Sequence, residues 1–65
     1  MVDSYYKAVC AELKKMGFAY ERNTKGSHEK WTNPKTAKTV IVPHNLHSRF
    51  TANGILKDAG SGKRF

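Results

Sequence analysis

Lys25-Gly26-Ser27-His28-Glu29-Lys30-Trp31 places a glycine turn directly before a segment whose polarity alternates, the pattern of a chain leaving a hairpin and entering a strand. The turn ends on a histidine with lysines on either side. Upstream, Phe18 and Tyr20 alternate with Ala19 and Glu21, so 18–22 is predicted to be a first strand and Asn23 to Ser27 its hairpin loop. Downstream, His28 to Thr32 forms the second strand, which Asn33-Pro34 ends because proline cannot donate into a ladder. Lys38 to Val42 is rich in β-branched residues and stops at Pro43, giving a third strand and an antiparallel meander.

Helices flank the meander. Asp3 and Ser4 are N-cap types, and Tyr6, Val9, Cys10, Leu13 and Met16 after them share one helical face. Gly17 reads as the residue that turns the chain out of that helix through a left-handed conformation, with Lys14 and Lys15 at the negative end of the dipole. His44 to Phe50 is polar and reads as a loop. Thr51 is predicted to cap a second helix carrying Ala52, Ile55, Leu56 and Ala59, closed by Gly60; Gly54 costs that helix about 1 kcal/mol relative to alanine. Residues 61–65 read as a frayed basic tail and the only candidate linker. Neither helix can bury its apolar stripe alone. The expected fold is α+β, with the order α-β-β-β-α and both helices on one face of a three-stranded sheet whose other face stays open.

Size and charge narrow the function. At 65 residues the chain is one domain with a small core, burying about 60% of its unfolded surface. Twelve Lys and Arg against five Asp and Glu give a net charge of +7, which favours phosphate backbones or an acidic protein partner. A single cysteine, Cys10, excludes an intramolecular disulfide, and no apolar run is long enough for a membrane span or a secretory signal. The expected setting is the cytoplasm, with no membrane partner.

His28 is the leading candidate for chemistry, because imidazole exchanges a proton near neutral pH. In RNA cleavage a base takes the proton of a 2′-hydroxyl, the oxygen attacks the adjacent phosphorus, and cations stabilise the charge that develops. Lys25 and Lys30 lie near enough in sequence to reach such a phosphate, and the amides of Gly26 and Ser27 can point at it. Lys38 on the third strand joins the candidate RNA-contacting set. The competing reading of His28 is a surface histidine at a strand start.

Other chemistries find less support. His44 and His47 form only an H-x-x-H pair in a loop and Cys10 sits on a helix's apolar face, so no metal site is expected. No nucleophile elbow, Walker A or Rossmann glycine pattern occurs, and the acids are too scattered for a two-metal nuclease. Glu12, Glu21 and Asp58 read as solvent-facing, and Glu29 points away from His28 if the segment is extended. Trp31, Tyr5 and Tyr20 each offer an aromatic face on which a base can stack, although Trp31, which shares Glu29's parity, reads more readily as core.

Taken together these elements resemble the HicA toxins of HicA-HicB toxin-antitoxin systems. The likeness covers nearly all of 3–60: the helix ending in Lys15-Met16-Gly17-Phe18, the basic turn into Gly26-Ser27-His28 with Trp31, the Val42-Pro43 strand end, and Thr51 followed by Ile55-Leu56-Lys57 and Ala59-Gly60. It departs from the family pattern at Glu29, Ala52 and Gly54 and in a shorter loop from His44 to Phe50. The resemblance implies a fold like the double-stranded-RNA-binding domain over 1–60. It implies a metal-independent, ribosome-independent mRNA endoribonuclease with its catalytic histidine at His28 and no cofactor. It also implies a HicB antitoxin that covers the histidine. The alternative is a non-catalytic RNA-binding module of the same fold, against which the start of the second helix, read as Thr51 to Gly54, offers no cation for phosphates. A basic adaptor for an acidic protein leaves Gly26-Ser27-His28 without a purpose.

Overall fold

The computed structural model describes residues 4–65. Helix α1 (Tyr6–Met16), strands β1 (Ala19–Lys25), β2 (His28–Asn33) and β3 (Lys38–Pro43), and helix α2 (Arg49–Ala59) follow in the expected order. The strands form one antiparallel sheet in the order β1-β2-β3.

Asp3 lies outside the described residues. The N-cap position of α1 falls on Tyr5, which makes no side-chain cap, while the Ser4 hydroxyl accepts from the Tyr6 amide at 3.1 Å. That hydroxyl also donates to the Leu46 carbonyl at 3.0 Å, and the Tyr5 amide donates to the same oxygen at 2.7 Å. The start of α1 is thus tied to the chain beyond β3. At the other end Gly17 is left-handed (φ 101°), and the Phe18 amide donates to Leu13 at 2.9 Å, which turns the chain tightly into β1. Asn33, buried at the end of β2, donates to the Met16 carbonyl at 3.1 Å and accepts from the Lys35 amide at 2.9 Å, joining the end of α1 to the second strand connection.

Cross-strand pairing sorts the side chains into two faces. Glu29 opposite Val42 and Trp31 opposite Val40 are buried and face the helices, whereas Lys30 opposite Ile41 and Thr32 opposite Thr39 lie on the open face. Val9, Cys10 and Leu13 from α1 and Ala52, Ile55, Leu56 and Ala59 from α2 close the core with Phe18 and Leu46. Ile55, Leu56 and Ala59 follow helical spacing, so burial offsets what Gly54 costs α2.

Four local expectations are corrected. β1 runs to Lys25 rather than ending at Arg22, so the hairpin loop shrinks to Gly26 and Ser27. α2 begins at Arg49, capped by Ser48, whose hydroxyl accepts from the Thr51 amide at 3.3 Å; Thr51 is therefore the third helical residue and not the cap. Leu46 is core, although its neighbours are exposed. The tail is packed rather than frayed: the Phe65 amide donates to Asn53 Oδ1 at 2.8 Å and its ring lies 5.0 Å from that of Tyr5. No helix among the described residues is long and apolar enough to cross a membrane.

Candidate nucleic-acid interface at the first hairpin

Gly26 takes φ 55° at the first position of a two-residue turn, a conformation glycine adopts without steric cost. Side chains of β1 brace the turn. Asn23 Nδ2 donates to the Gly26 carbonyl at 2.9 Å, and the Tyr20 hydroxyl donates to Asn23 Oδ1 at 2.5 Å. From the far side, the His44 amide donates to the Ser27 carbonyl at 2.8 Å. His28, paired with Lys25 on one side and Pro43 on the other, therefore occupies a ladder position in the central strand although it adjoins a turn.

The imidazole of His28 is exposed, with Nδ1 3.1 Å from the Lys25 carbonyl. A carbonyl can only accept, so Nδ1 carries the hydrogen and the neutral ring presents its lone pair at Nε2. The hydrogen bond fixes both tautomer and orientation, which is what a general base needs from its surroundings.

The sequence-predicted cations are not all brought to this point. Lys25 is exposed and lies directly opposite His28. Lys30 lies two residues along β2 on the open face, its ammonium 3.5 Å from Glu21 Oε2. The Thr32 hydroxyl donating to Glu21 at 2.7 Å, and after it the charge of Lys30, holds that carboxyl below its usual range, so Lys30 has an ionised partner. Lys38 pairs with Asn33 at the other end of the ladder, roughly 17 Å along β2 from His28. Its ammonium lies so close to Gly60 that a β-carbon there would approach it to 3.3 Å. Lys38 thus sits at the negative end of α2, where a cation is favoured for structural reasons.

A buried group to which the sequence assigned no role lies behind the hairpin. The Glu29 carboxylate accepts from the Tyr6 hydroxyl at 2.8 and 2.9 Å and from Trp31 Nε1 at 3.1 Å, and His44 Nδ1 lies 3.5 Å away. The His44 ring also stands edge-on to Tyr6 with centroids 4.6 Å apart. The signal for Glu29 was its parity with Trp31: a carboxylate on the core-facing side of a strand needs donors. Burial, and after it the hydrogen bond to Glu29, pushes the Tyr6 phenol far above its ordinary value, and burial raises the Cys10 thiol.

The revised start of α2 changes one argument. Arg49 is its first residue, with its guanidinium carbon 5.6 Å from the ring centroid of Phe50, which is 79% exposed. A cation does stand at that helix start. Among the described residues no group of three or more His, Cys, Asp or Glu is arranged to hold a metal ion.

Residues 6–61 match the family model described as HicA toxin of bacterial toxin-antitoxin. No curated protein and no solved structure matches the chain.

Proposed function

The chain belongs to the HicA toxin family, so it is the toxin of a toxin-antitoxin pair and its partner is an antitoxin; from that premise we propose that it is an endoribonuclease that cuts mRNA without a metal or a ribosome. The observation that carries this reading is the exposed imidazole of His28, anchored through Nδ1 to the Lys25 carbonyl so that Nε2 is the proton acceptor.

In the proposed reaction Nε2 takes the proton of a ribose 2′-hydroxyl, and the oxygen forms a bond to the adjacent phosphorus. The bond from phosphorus to the 5′-oxygen breaks, and the imidazolium returns its proton to that oxygen. The products are a 2′,3′-cyclic phosphate and a 5′-hydroxyl. Lys25, with the Gly26 and Ser27 amides at the apex, stabilises the phosphorane-like charge, and Lys30 supports it at longer range. Lys38 meets RNA only several nucleotides away from the scissile bond. A HicB-like antitoxin silences the enzyme in the cytoplasm by covering His28.

The direct test is incubation of the purified chain with RNA, in EDTA and without ribosomes, followed by analysis of fragment ends. Cyclic phosphate termini support the reading. Tight RNA binding without cleavage favours the non-catalytic module, the reading to which Arg49 and the exposed Phe50 lend support.

A further inference from the structure

All seven residues of β1 are exposed, and on the helix side its near end borders a groove of about 430 Å³ beside α1. The rings of Tyr6, Phe18, Tyr20 and Trp31 line it, with the exposed Lys14 and the buried Glu29. The cleavage chemistry at His28 uses none of these residues.

A lone exposed tyrosine on an outer strand needs no explanation. Tyr20 differs in being held: its hydroxyl donates to Asn23, and its ring stands edge-on to Trp31 with centroids 6.2 Å apart and planes at 74°. Tyr20 is 51% exposed, so a fixed aromatic side chain is open to a ligand with little further ordering. Such a platform accepts a flat π-system. Lys14 suits a ligand that also carries negative charge, as does the chain's +7. The Glu29 carboxylate, with Tyr6 and Trp31 on Oε1 and Tyr6 and, at 3.5 Å, His44 on Oε2, still has a lone pair for an N–H donor on the ligand's edge. An apolar peptide side chain would use neither charge. A base with its phosphate uses both, and the volume lies within the usual range for small-ligand sites, about 300–1,000 Å³.

The groove is also within reach of the hairpin. Tyr20 pairs with Trp31, three residues and roughly 10 Å along β2 from His28; the groove opens on the helix side and His28, in step with Lys30, on the other, so RNA joining them passes round the outer edge of β1. We propose that this groove binds one unpaired base of the RNA, stacked on Tyr20, with its phosphate at Lys14 and a base N–H on Glu29. This rests on RNA being the substrate, and it makes the groove the element that selects single-stranded RNA and sets the register of cleavage.

Trp31 is the chain's only tryptophan and reports on the groove directly. The experiment titrates a short single-stranded oligoribonucleotide into the full chain carrying His28→Ala and follows Trp31 emission together with anisotropy of the labelled RNA. The expected result is a saturable emission change with the same midpoint as binding. Adding Tyr20→Ala weakens binding roughly tenfold and abolishes the emission change, Tyr20→Leu does the same, and Tyr20→Phe, which keeps the stacking ring but loses its bond to Asn23, keeps the emission change and weakens binding less. Lys14→Ala weakens binding and flattens its salt dependence. Circular dichroism melts establish that each variant is folded. Parent-like affinity in both folded Tyr20→Ala and Tyr20→Leu, or saturation with unchanged emission, overturns the groove while RNA binding stands. Failure of the His28→Ala chain to bind RNA at low salt overturns the proposed function as well. Loss of antitoxin affinity alone in the Tyr20 variants makes the groove a protein contact and also overturns the proposal.

Discussion

The Tyr6 hydroxyl donates to both carboxylate oxygens of Glu29, at 2.8 and 2.9 Å, and so fastens the first turn of α1 to the central strand. Trp31 Nε1 donates to the same group at 3.1 Å, which leaves the carboxylate well supplied with donors despite its burial. Tyr6→Phe keeps the ring and removes the first donor. It should destabilise the fold by about 1–3 kcal/mol, the cost of leaving a buried acceptor short of a partner. In a domain of this size that lowers Tm by roughly 4–8 °C per kcal/mol, and an unchanged melt would show the bond to be dispensable.

The same contact predicts an alkaline titration. The Tyr6 phenol titrates above its ordinary value of 10.0 because burial, and then the bond to Glu29, disfavours the phenolate. A raised folded-state pKa means that its contribution to stability is complete below about 10 and is lost as pH rises beyond it. Tyrosinate absorbance of the folded chain should therefore contain one late-rising component, and Tyr6→Phe should remove it. A titration identical in the two proteins would contradict the burial described for Tyr6.

His28→Ala should reduce RNA cleavage at least about a hundredfold, the scale of a positioned acid-base group. Stability should change by under about 0.5 kcal/mol, because the side chain is exposed and its removal opens no core cavity. The variant should bind RNA and antitoxin and no longer arrest growth. Cleavage at the parent rate would refute the catalytic role, and loss of the folded melt would reveal a structural one.

Lys25 and Lys38 should part company in salt titrations of RNA binding. Lys25→Ala, opposite His28, should weaken binding and reduce its salt dependence by about one ion's worth. Lys30→Ala should do so less, since Glu21, which it shares with Arg22, already offsets part of that charge. Lys38→Ala should leave binding of a short RNA nearly unchanged and instead cost about 0.3–1 kcal/mol of stability at the end of α2. Equal loss of affinity and salt dependence for all three would place the RNA along the whole sheet.

These differences trace how far local sequence speaks. Gly17 and Gly60 announce both helix ends because left-handed caps depend on a single residue, and Trp31 declares itself core by its parity along β2. The second half of β1 carries no such signal: every residue is exposed, so no alternation marks it, and pairing with β2 and the Asn23 bond hold it in place. Leu46 and Phe65 are covered by residues far away in the chain, including Tyr5, which their own neighbours do not reveal. At the candidate site His28 stands out by its own motif, whereas Glu29 depends on Tyr6, remote in sequence, and the remoteness of Lys38 emerges only from the ladder register.

The pairing of β1 with β2 slips twice, between Tyr20 and Arg22 and between Asn23 and Lys25, and among the described residues no strand lies on its outer side. A flat, regular rim of free amides and carbonyls invites a second copy to add its own strand and begin a ribbon. Here the bulges twist that rim, and an antiparallel copy centred on its second half would set Arg22 against Lys25, cation against cation. Strand addition along this edge is thereby disfavoured, so a ligand on this side gains more from the side chains than from bare backbone.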